Sequence, residues 1–284
     1  MMKTVLACTD GSQYASSIYE HAAWAASRIE GQVRVLHVLE REDVHRGRDL
    51  TGNLGFDASA DLMEELVKLD ETQARVARLR GEAVLEHAET QLREKGVSEI
   101  DSVQRHGSLV DTVQEFEANS DLVVIGKRGQ HADFAKGHLG SNLERVARSS
   151  ELPVLVASRS FQPVNSFLFA FDGGKSAIKA GNYITRNPLL KGLHCHLVAV
   201  GKPDSVLAGE LSAAAKGLRE AGFEVTEDLI EGEPEEVITR EVESRGIDLL
   251  VMGAYGHSRI RRFIIGSTTS SLIRDCRIPV LLFR

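Results

Sequence analysis

The sequence predicts an α/β protein built from two doubly wound, mostly parallel five-stranded sheets. Three observations predict it. Short, largely apolar runs recur along the chain, as strands buried on both faces of a parallel sheet require. Stretches with apolar residues at helical spacing lie between them. The whole pattern occurs twice, and strand alternating with helix implies βαβ units with right-handed crossovers.

Taken in order, Thr4-Val5-Leu6-Ala7-Cys8-Thr9 reads as a first strand and runs into Asp10-Gly11-Ser12. Ile18, Ala22, Ala25 and Ile29 mark a helix, and Val33–Leu39 a second strand. The polar stretch from Glu40 to Thr72 reads as a loop or lid followed by a long helix that carries Val84, Ala88 and Leu92. Leu122–Ile125 and Val154–Val156 close the first half. Polar residues and Pro163 then interrupt the pattern, which places the boundary between units 1–160 and 161–284. The second half repeats the order. Phe167-Leu168-Phe169-Ala170-Phe171 runs into Asp172-Gly173-Gly174-Lys175-Ser176, followed by strands Leu193–Val200, Leu249–Met252 and Val280–Leu282. Leu207, Leu211 and Leu218 mark its middle helix.

Spacing confirms a repeat with one insertion. Gly126 and Gly253 stand 127 positions apart, and Pro153 and Pro279 stand 126 apart, whereas Asp10 and Asp172 are separated by 162. About 35 surplus residues therefore lie in the first half, between its second strand and Gly107.

Bulk properties narrow the function. A hydrophobic content of 42% and a charged content of 26% suit a folded globular chain of 284 residues. A net charge of −7 argues against a nucleic-acid backbone as partner. No apolar stretch approaches the length that spans a bilayer, and the run after Lys3 is too short for a secretory signal. Cys8, Cys195 and Cys276 suggest no disulfide framework, so a reduced cytoplasm is expected. His194 and His196 share one face of a strand and Cys195 the other, and no ligand spacing supports a metal there. Neither a P-loop nor a Gly-x-Gly-x-x-Gly turn is present.

The most informative segment is Gly253-Ala254-Tyr255-Gly256, then nine residues, then Gly266-Ser267-Thr268. It follows a buried strand and precedes a helix. Glycines at that place let backbone amides approach a phosphate. Ser267 can cap the helix, whose amino end favours an anion. Ligands of open α/β sheets sit at the carboxyl ends of strands, where this loop lies.

The Gly-x2-Gly-x9-Gly-Ser pattern resembles the ATP-binding signature of the universal stress protein family. The opening Asp-Gly-Ser, the Asp-Leu-Val-Val-Ile-Gly strand and the final Pro-Val-Leu strand are similar to that family too, in order and twice. The resemblance implies a tandem of two such domains with the adenine nucleotide α-hydrolase-like fold. It implies that their last strands pair across a pseudo-two-fold axis, an intramolecular version of a dimer, with a homodimer of chains as a further option. It implies a stress-response regulatory protein that binds ATP or another adenine nucleotide, with magnesium as accompanying ion. Asp172 and Val200 would line the adenine and ribose side. Gly253, Gly256, Gly266, Ser267 and Thr268 would hold ribose and phosphates, with His257 beside them. Asp10, Val38, Gly126, Gly129, Gly140 and Ser141 match these positions in the first half.

The first half departs from the pattern, with ten residues between Gly129 and Gly140 and Asn142-Leu143 after the Gly-Ser. Its cleft is the better candidate for a degenerate site, filled by side chains such as Leu54, Phe56 and Leu62, or by Phe134, Lys136, His138 and Leu139, or taking a lipid-like ligand. Plainer roles stand beside the functional ones. Asp10 and Asp172 are suited to cap helices, Gly126 and Gly253 to make turns, and Arg259, Arg261 and Arg262 to lie solvated. An adenylating enzyme is disfavoured because Asp172-Gly173-Gly174-Lys175-Ser176 lacks its acidic fourth position. No catalytic base stands out, so any ATP hydrolysis would be slow.

Overall fold

The computed structural model describes residues 2–39, 56–127, 141–203, 205–254 and 267–284. In the first half the elements are β1 (Thr4–Thr9), α1 (Ala15–Ile29), β2 (Gln32–Leu39), α2 (Phe56–Glu94), β3 (Ile100–His106), α3 (Leu109–Glu117), β4 (Leu122–Gly126), α4 (Ser141–Ser149) and β5 (Val154–Ala157). The second half has β6 (Ser166–Ala170), α5 (Lys175–Arg186), β7 (His194–Val200), α6 (Val206–Glu220), β8 (Val225–Ile230), α7 (Pro234–Arg245), β9 (Leu249–Gly253), α8 (Ser267–Asp275) and β10 (Val280–Phe283).

The strands form one ten-stranded sheet in the order β3-β2-β1-β4-β5-β10-β9-β6-β7-β8. Every neighbouring pair is parallel except β5 with β10, which run antiparallel with Leu155 opposite Leu281. The expected pairing of the two last strands is therefore present, and it joins the halves into a single sheet.

Both faces are covered. Val5 and Ala7 point into one apolar layer beneath α1, α2, α5 and α6, while Leu6 and Cys8 point into the other beneath α3, α4, α7 and α8. This explains why β1 and its counterparts carry apolar residues at successive positions. Burial pushes the Cys8 thiol up to about 12, so it is an inert packing group. Cys276 is only half-buried.

The outer strands β3 and β8 are the ones that apolar runs did not reveal. They lie at the two ends of the sheet, none of their residues is buried, and most are polar. A second motif residue proves structural. Asp121 before β4 accepts the Thr4 amide at 2.8 Å, and Asp248 before β9 accepts the Asn165 and Ser166 amides at 2.8 and 3.1 Å. Each carboxylate ties the start of a strand to its neighbour, at the sheet edge away from the strands' carboxyl ends.

The surplus of the first half is largely helix. The second-half counterpart of α2 is the fifteen-residue α6, and α2 runs for 39 residues. At the 126-residue offset α6 matches residues 80–94 of α2, which are the turns that pack on the sheet through Leu85, Ala88 and Leu92. The earlier turns are additional, so the surplus reaches beyond Thr72 to about residue 79.

Between β5 and β6 the chain crosses α1 and is fastened there. Ser17 Oγ donates to the Ser158 carbonyl at 2.7 Å, and His21 Nδ1 donates to the Ser17 carbonyl at 2.6 Å. Phe161 meets the His21 ring edge-on at 5.1 Å. Lys127 reaches the carbonyls of Cys276 and Ile278 across the junction, Lys179 that of Glu151, and Arg284 that of Ser149.

His21 is almost fully buried, and that burial lowers its pKa below the ordinary 6.5. Native protein therefore binds fewer protons there than unfolded chain, and stability must rise with pH through the interval between the two values. Thermal unfolding at roughly pH 5 and pH 7.5 is expected to show lower stability at the acid end, with a smaller difference in His21→Phe. An unchanged difference would assign the effect elsewhere.

The β5–β10 seam yields a second test. Expressed apart, residues 1–160 and 161–284 would each present a bare apolar strand edge and should self-associate. Two well-behaved monomers, observed by sedimentation, would contradict this.

Candidate functional site

Each half presents its candidate residues at the carboxyl ends of its central strands. In the second half, Ala170 pairs with Met252 on one side and with Val198 on the other. That register carries Asp172, Gly253 and Val200 to the same edge. β9 and β10 are parallel, so the connecting α8 must start at this edge and return along the sheet. Ser267 and Thr268 begin that helix, although their side chains lie outside the described residues. Gly256, His257 and Gly266 also lie outside them, as do Arg259, Arg261 and Arg262.

Asp172 is not a helix cap. Its Oδ1 accepts the Gly174 amide at 2.8 Å, and Gly174 itself holds the capping position of α5. Asp10 does the same in the first half, accepting the Ser12 amide at 2.9 Å, while Tyr14 holds the capping position of α1. Both carboxylates close a small side-chain turn over Gly11 or Gly173, which have φ of +69° and +71°. Such a turn sets the carboxyl group rigidly at the strand end, where Asp172 is exposed and Asp10 partly so.

Gly253 is the last residue of β9 and has a packing role. A Cβ there would lie 2.9 Å from the Ser176 Cβ at the start of α5, so glycine is what lets that helix close down on β9. Ser176 is buried and was not foreseen; its signal is its place two residues after the helix-opening Gly173-Gly174. Glu210 of α6 is another residue missed from sequence. Its carboxylate occupies the space above Gly173. The matching position above Gly11 is held by Val84 of α2.

The first-half edge has the same frame. Val5 and Ala7 pair with Leu122 and Val124 on one side, and Thr9 with His37 on the other, so Asp10, Val38 and Gly126 come together. Gly129 and Gly140 lie outside the described residues, as does the side chain of Ser141 at the start of α4. Beneath Asp10 the interior is polar. The Thr9 and Tyr19 hydroxyls lie 2.9 Å apart, and the buried His37 donates from Nδ1 to the Thr9 carbonyl at 2.8 Å. The positions 162 residues on are Phe171, Gly181 and Ala199. A cavity of about 380 Å³ opens beside this network, lined by Gly11, Ser12, Tyr19, Arg80, Val84 and His87 among others. The side chains of Leu54, Phe56, Leu62, Phe134, Lys136, His138 and Leu139 lie outside the described residues.

The histidine pair of β7 stands apart from both edges. Its rings stack at 4.3 Å, with His194 Nε2 held 2.8 Å from the Thr226 hydroxyl and His196 Nδ1 accepting from Arg245 at 3.3 Å. Burial, then the neighbouring His194 and Arg245, lower the His196 pKa. Among the described residues no group of three or more His, Cys, Asp or Glu is placed to hold a metal ion, and no helix is long and apolar enough to cross a membrane.

Comparison with known proteins fits this duplicated frame. The universal stress protein family model matches residues 1–158 and 196–284. Universal stress protein Slr1230 of Synechocystis is 40% identical over the full length of both chains. The chain belongs to the universal stress protein family. A universal stress protein from Archaeoglobus fulgidus has a similar structure, with a TM-score of 0.68 at 23% identity, covering 99% of this chain and 98% of that one. Universal stress protein MJ0577 of Methanocaldococcus jannaschii is 32% identical over 69 residues, covering 24% of this chain and 43% of its own length. The second matched segment begins within β7, so β6, Asp172 and α5 are assigned to the repeat by the sheet register rather than by the family match.

The close approach at Gly253 is testable. Gly253→Val would force α5 off the sheet and should lower stability by about 1–3 kcal/mol in a denaturant titration. A cost near zero would mean that Ser176 yields freely.

Proposed function

We propose that this universal stress protein binds ATP or another adenine nucleotide, mainly in the unit formed by residues 161–284, and acts as a stress-response regulator. The observation that carries the reading is the register that sets Asp172, Val200 and Gly253 on one carboxyl edge. The Asp172 carboxylate, held by the Gly174 amide, suits the hydroxyls of a ribose or the edge of a base. Val200 supplies an apolar wall. Gly256, Gly266, Ser267 and Thr268 follow the signature of nucleotide-binding relatives, and the helix they lead into favours the negative charge of phosphates. Magnesium would accompany those phosphates. Hydrolysis at the site would be slow at most, and binding rather than turnover would change partner choice.

The unit formed by residues 1–160 shares Asp10, Val38, Gly126, Gly129, Gly140 and Ser141, but its loop is one residue longer. The polar network of Thr9, Tyr19 and His37 beneath it also differs from the second half. We assign it the weaker nucleotide affinity, or a different ligand.

Purified protein, denatured and chromatographed, should release an adenine nucleotide detectable by its absorbance. If it copurifies with none, titration with ATP should still show binding. Gly266→Val should weaken binding at least about tenfold by crowding the backbone against the phosphates, while Gly140→Val changes it little. Binding unaltered by Gly266→Val would move the site, and no binding of ATP, ADP or AMP would overturn the reading.

A further inference from the structure

Among the described residues, the first part of α2 adds no buried side chain to the fold. Of the described side chains between Met63 and Arg80, none is buried, and only Ala77 is even half-covered. At 1.5 Å per residue the stretch is about 27 Å of helix standing clear of the sheet. Yet Met63, Leu66, Val67, Leu69, Val76 and Leu79 are between 40% and 60% exposed along it. An isolated helix of this length is marginal in water. A concentration of large exposed apolar side chains on one projecting element marks a contact surface.

The arrangement points to what covers it. Leu69 and Val76 are equidistant from the peptide joining Thr72 and Gln73, and so are Leu66 and Leu79. Charge is distributed oppositely about the same centre. Residues 61–71 contain Asp61, Glu64, Glu65, Asp70 and Glu71 against one Lys68, whereas the matching residues 74–84 contain Arg75, Arg78 and Arg80 against one Glu82, which pairs with Arg78. Lys68 already pairs within the helix with Glu64 and Glu65, at 2.9 and 3.1 Å. A second copy laid alongside in the same direction would bring acid to acid and arginine to arginine. Laid antiparallel about the Thr72–Gln73 centre, it brings Asp70 to the level of Arg75 and Glu65 to that of Arg80. It also sets Leu69 against Val76 twice. A surface complementary to its own copy under a two-fold rotation is what a symmetric dimer needs.

We propose that the projecting part of α2 pairs with α2 of a second copy of this chain, antiparallel, so that two chains associate through the insertion rather than through the sheet. The apolar residues supply affinity, and the exposed charges set orientation, since surface ion pairs add little energy.

The test is the oligomeric state of the full chain by sedimentation velocity and light scattering. The wild type should show twice the mass of one chain and dissociate on dilution. Leu69→Glu/Val76→Glu should raise the dissociation constant by about 100-fold or more, by burying like charges, while the monomer still unfolds in a cooperative thermal transition. Since both positions are exposed in one chain, misfolding is not the expected result. Orientation is read separately. Leu69→Cys mixed with Val76→Cys should form a crossed disulfide on mild oxidation, and Leu69→Cys alone should form little. A wild type monomeric at all concentrations overturns the proposal. So does a dimer indifferent to the double glutamate variant, which would place the contact elsewhere. A Leu69→Cys chain that links to itself as readily as to Val76→Cys would overturn the antiparallel arrangement.

Discussion

The antiparallel pairing of β5 with β10 is the constraint on which the rest of the molecule depends. These two short strands sit at the centre of the sheet, with Leu155 and Leu281 excluded from solvent. All other neighbours are parallel, so the single antiparallel step reverses strand direction between the halves. The carboxyl ends of β1 and β4 therefore face one end of the sheet and those of β6 and β9 the opposite end. Two candidate mouths that open in opposite directions share no wall. Whatever couples them must pass through the buried seam and the contacts that brace it, of Lys127, Lys179 and Arg284 with carbonyls across the junction.

Fastening the connection between the halves onto α1 serves the same seam. A parallel sheet exposes its last strand unless something pairs with it, and covalent linkage makes that pairing intramolecular. Ser17, His21 and Ser158 hold the linking segment with buried hydrogen bonds. That is an expensive way to secure a tether, because every polar group in it must find a partner. It is justified only if the seam is meant to stay shut. The duplicated chain thus has a fixed internal dimer, and any further association has to use another surface.

How much of this was legible in the sequence depended on where a residue sits in the sheet. Central strands are buried on both faces and declare themselves as apolar runs. β3 and β8 have a neighbour on one side only, and residues such as Asp101 and Glu227 keep their carboxylates at the water boundary, so no apolar run forms. Asp10 and Asp172 were recognisable as important, but the geometry of their turns was not. A helix cap and a side-chain turn use the same residue types, and only the amide that is satisfied tells them apart. Gly253 stood out in the sequence as a loop glycine, and the structure adds a reason that the sequence does not carry, the nearness of Ser176. Asp121 and Asp248 belong to the recognisable motif yet work at the opposite edge of the sheet, so a motif residue need not be a ligand residue.

The two halves share a frame and differ in what is built on it. Gly11 and Gly173 turn alike, and the helix that follows the second strand reaches over each of them. Over Gly173 it delivers the carboxylate of Glu210, and over Gly11 the branched side chain of Val84. Below the turn, Thr9, Tyr19 and His37 form a polar layer where Phe171, Gly181 and Ala199 make an apolar one. A buried hydroxyl pair needs both partners, since either alone costs about 1–3 kcal/mol of unmet hydrogen bonding. Such a network holds only while both partners are kept, so the two halves set different interiors beneath the same turn. Duplication makes this tenable. One half keeps nine residues between its loop glycines while the other carries ten, and the insertion that lengthens α2 belongs to the half that carries ten.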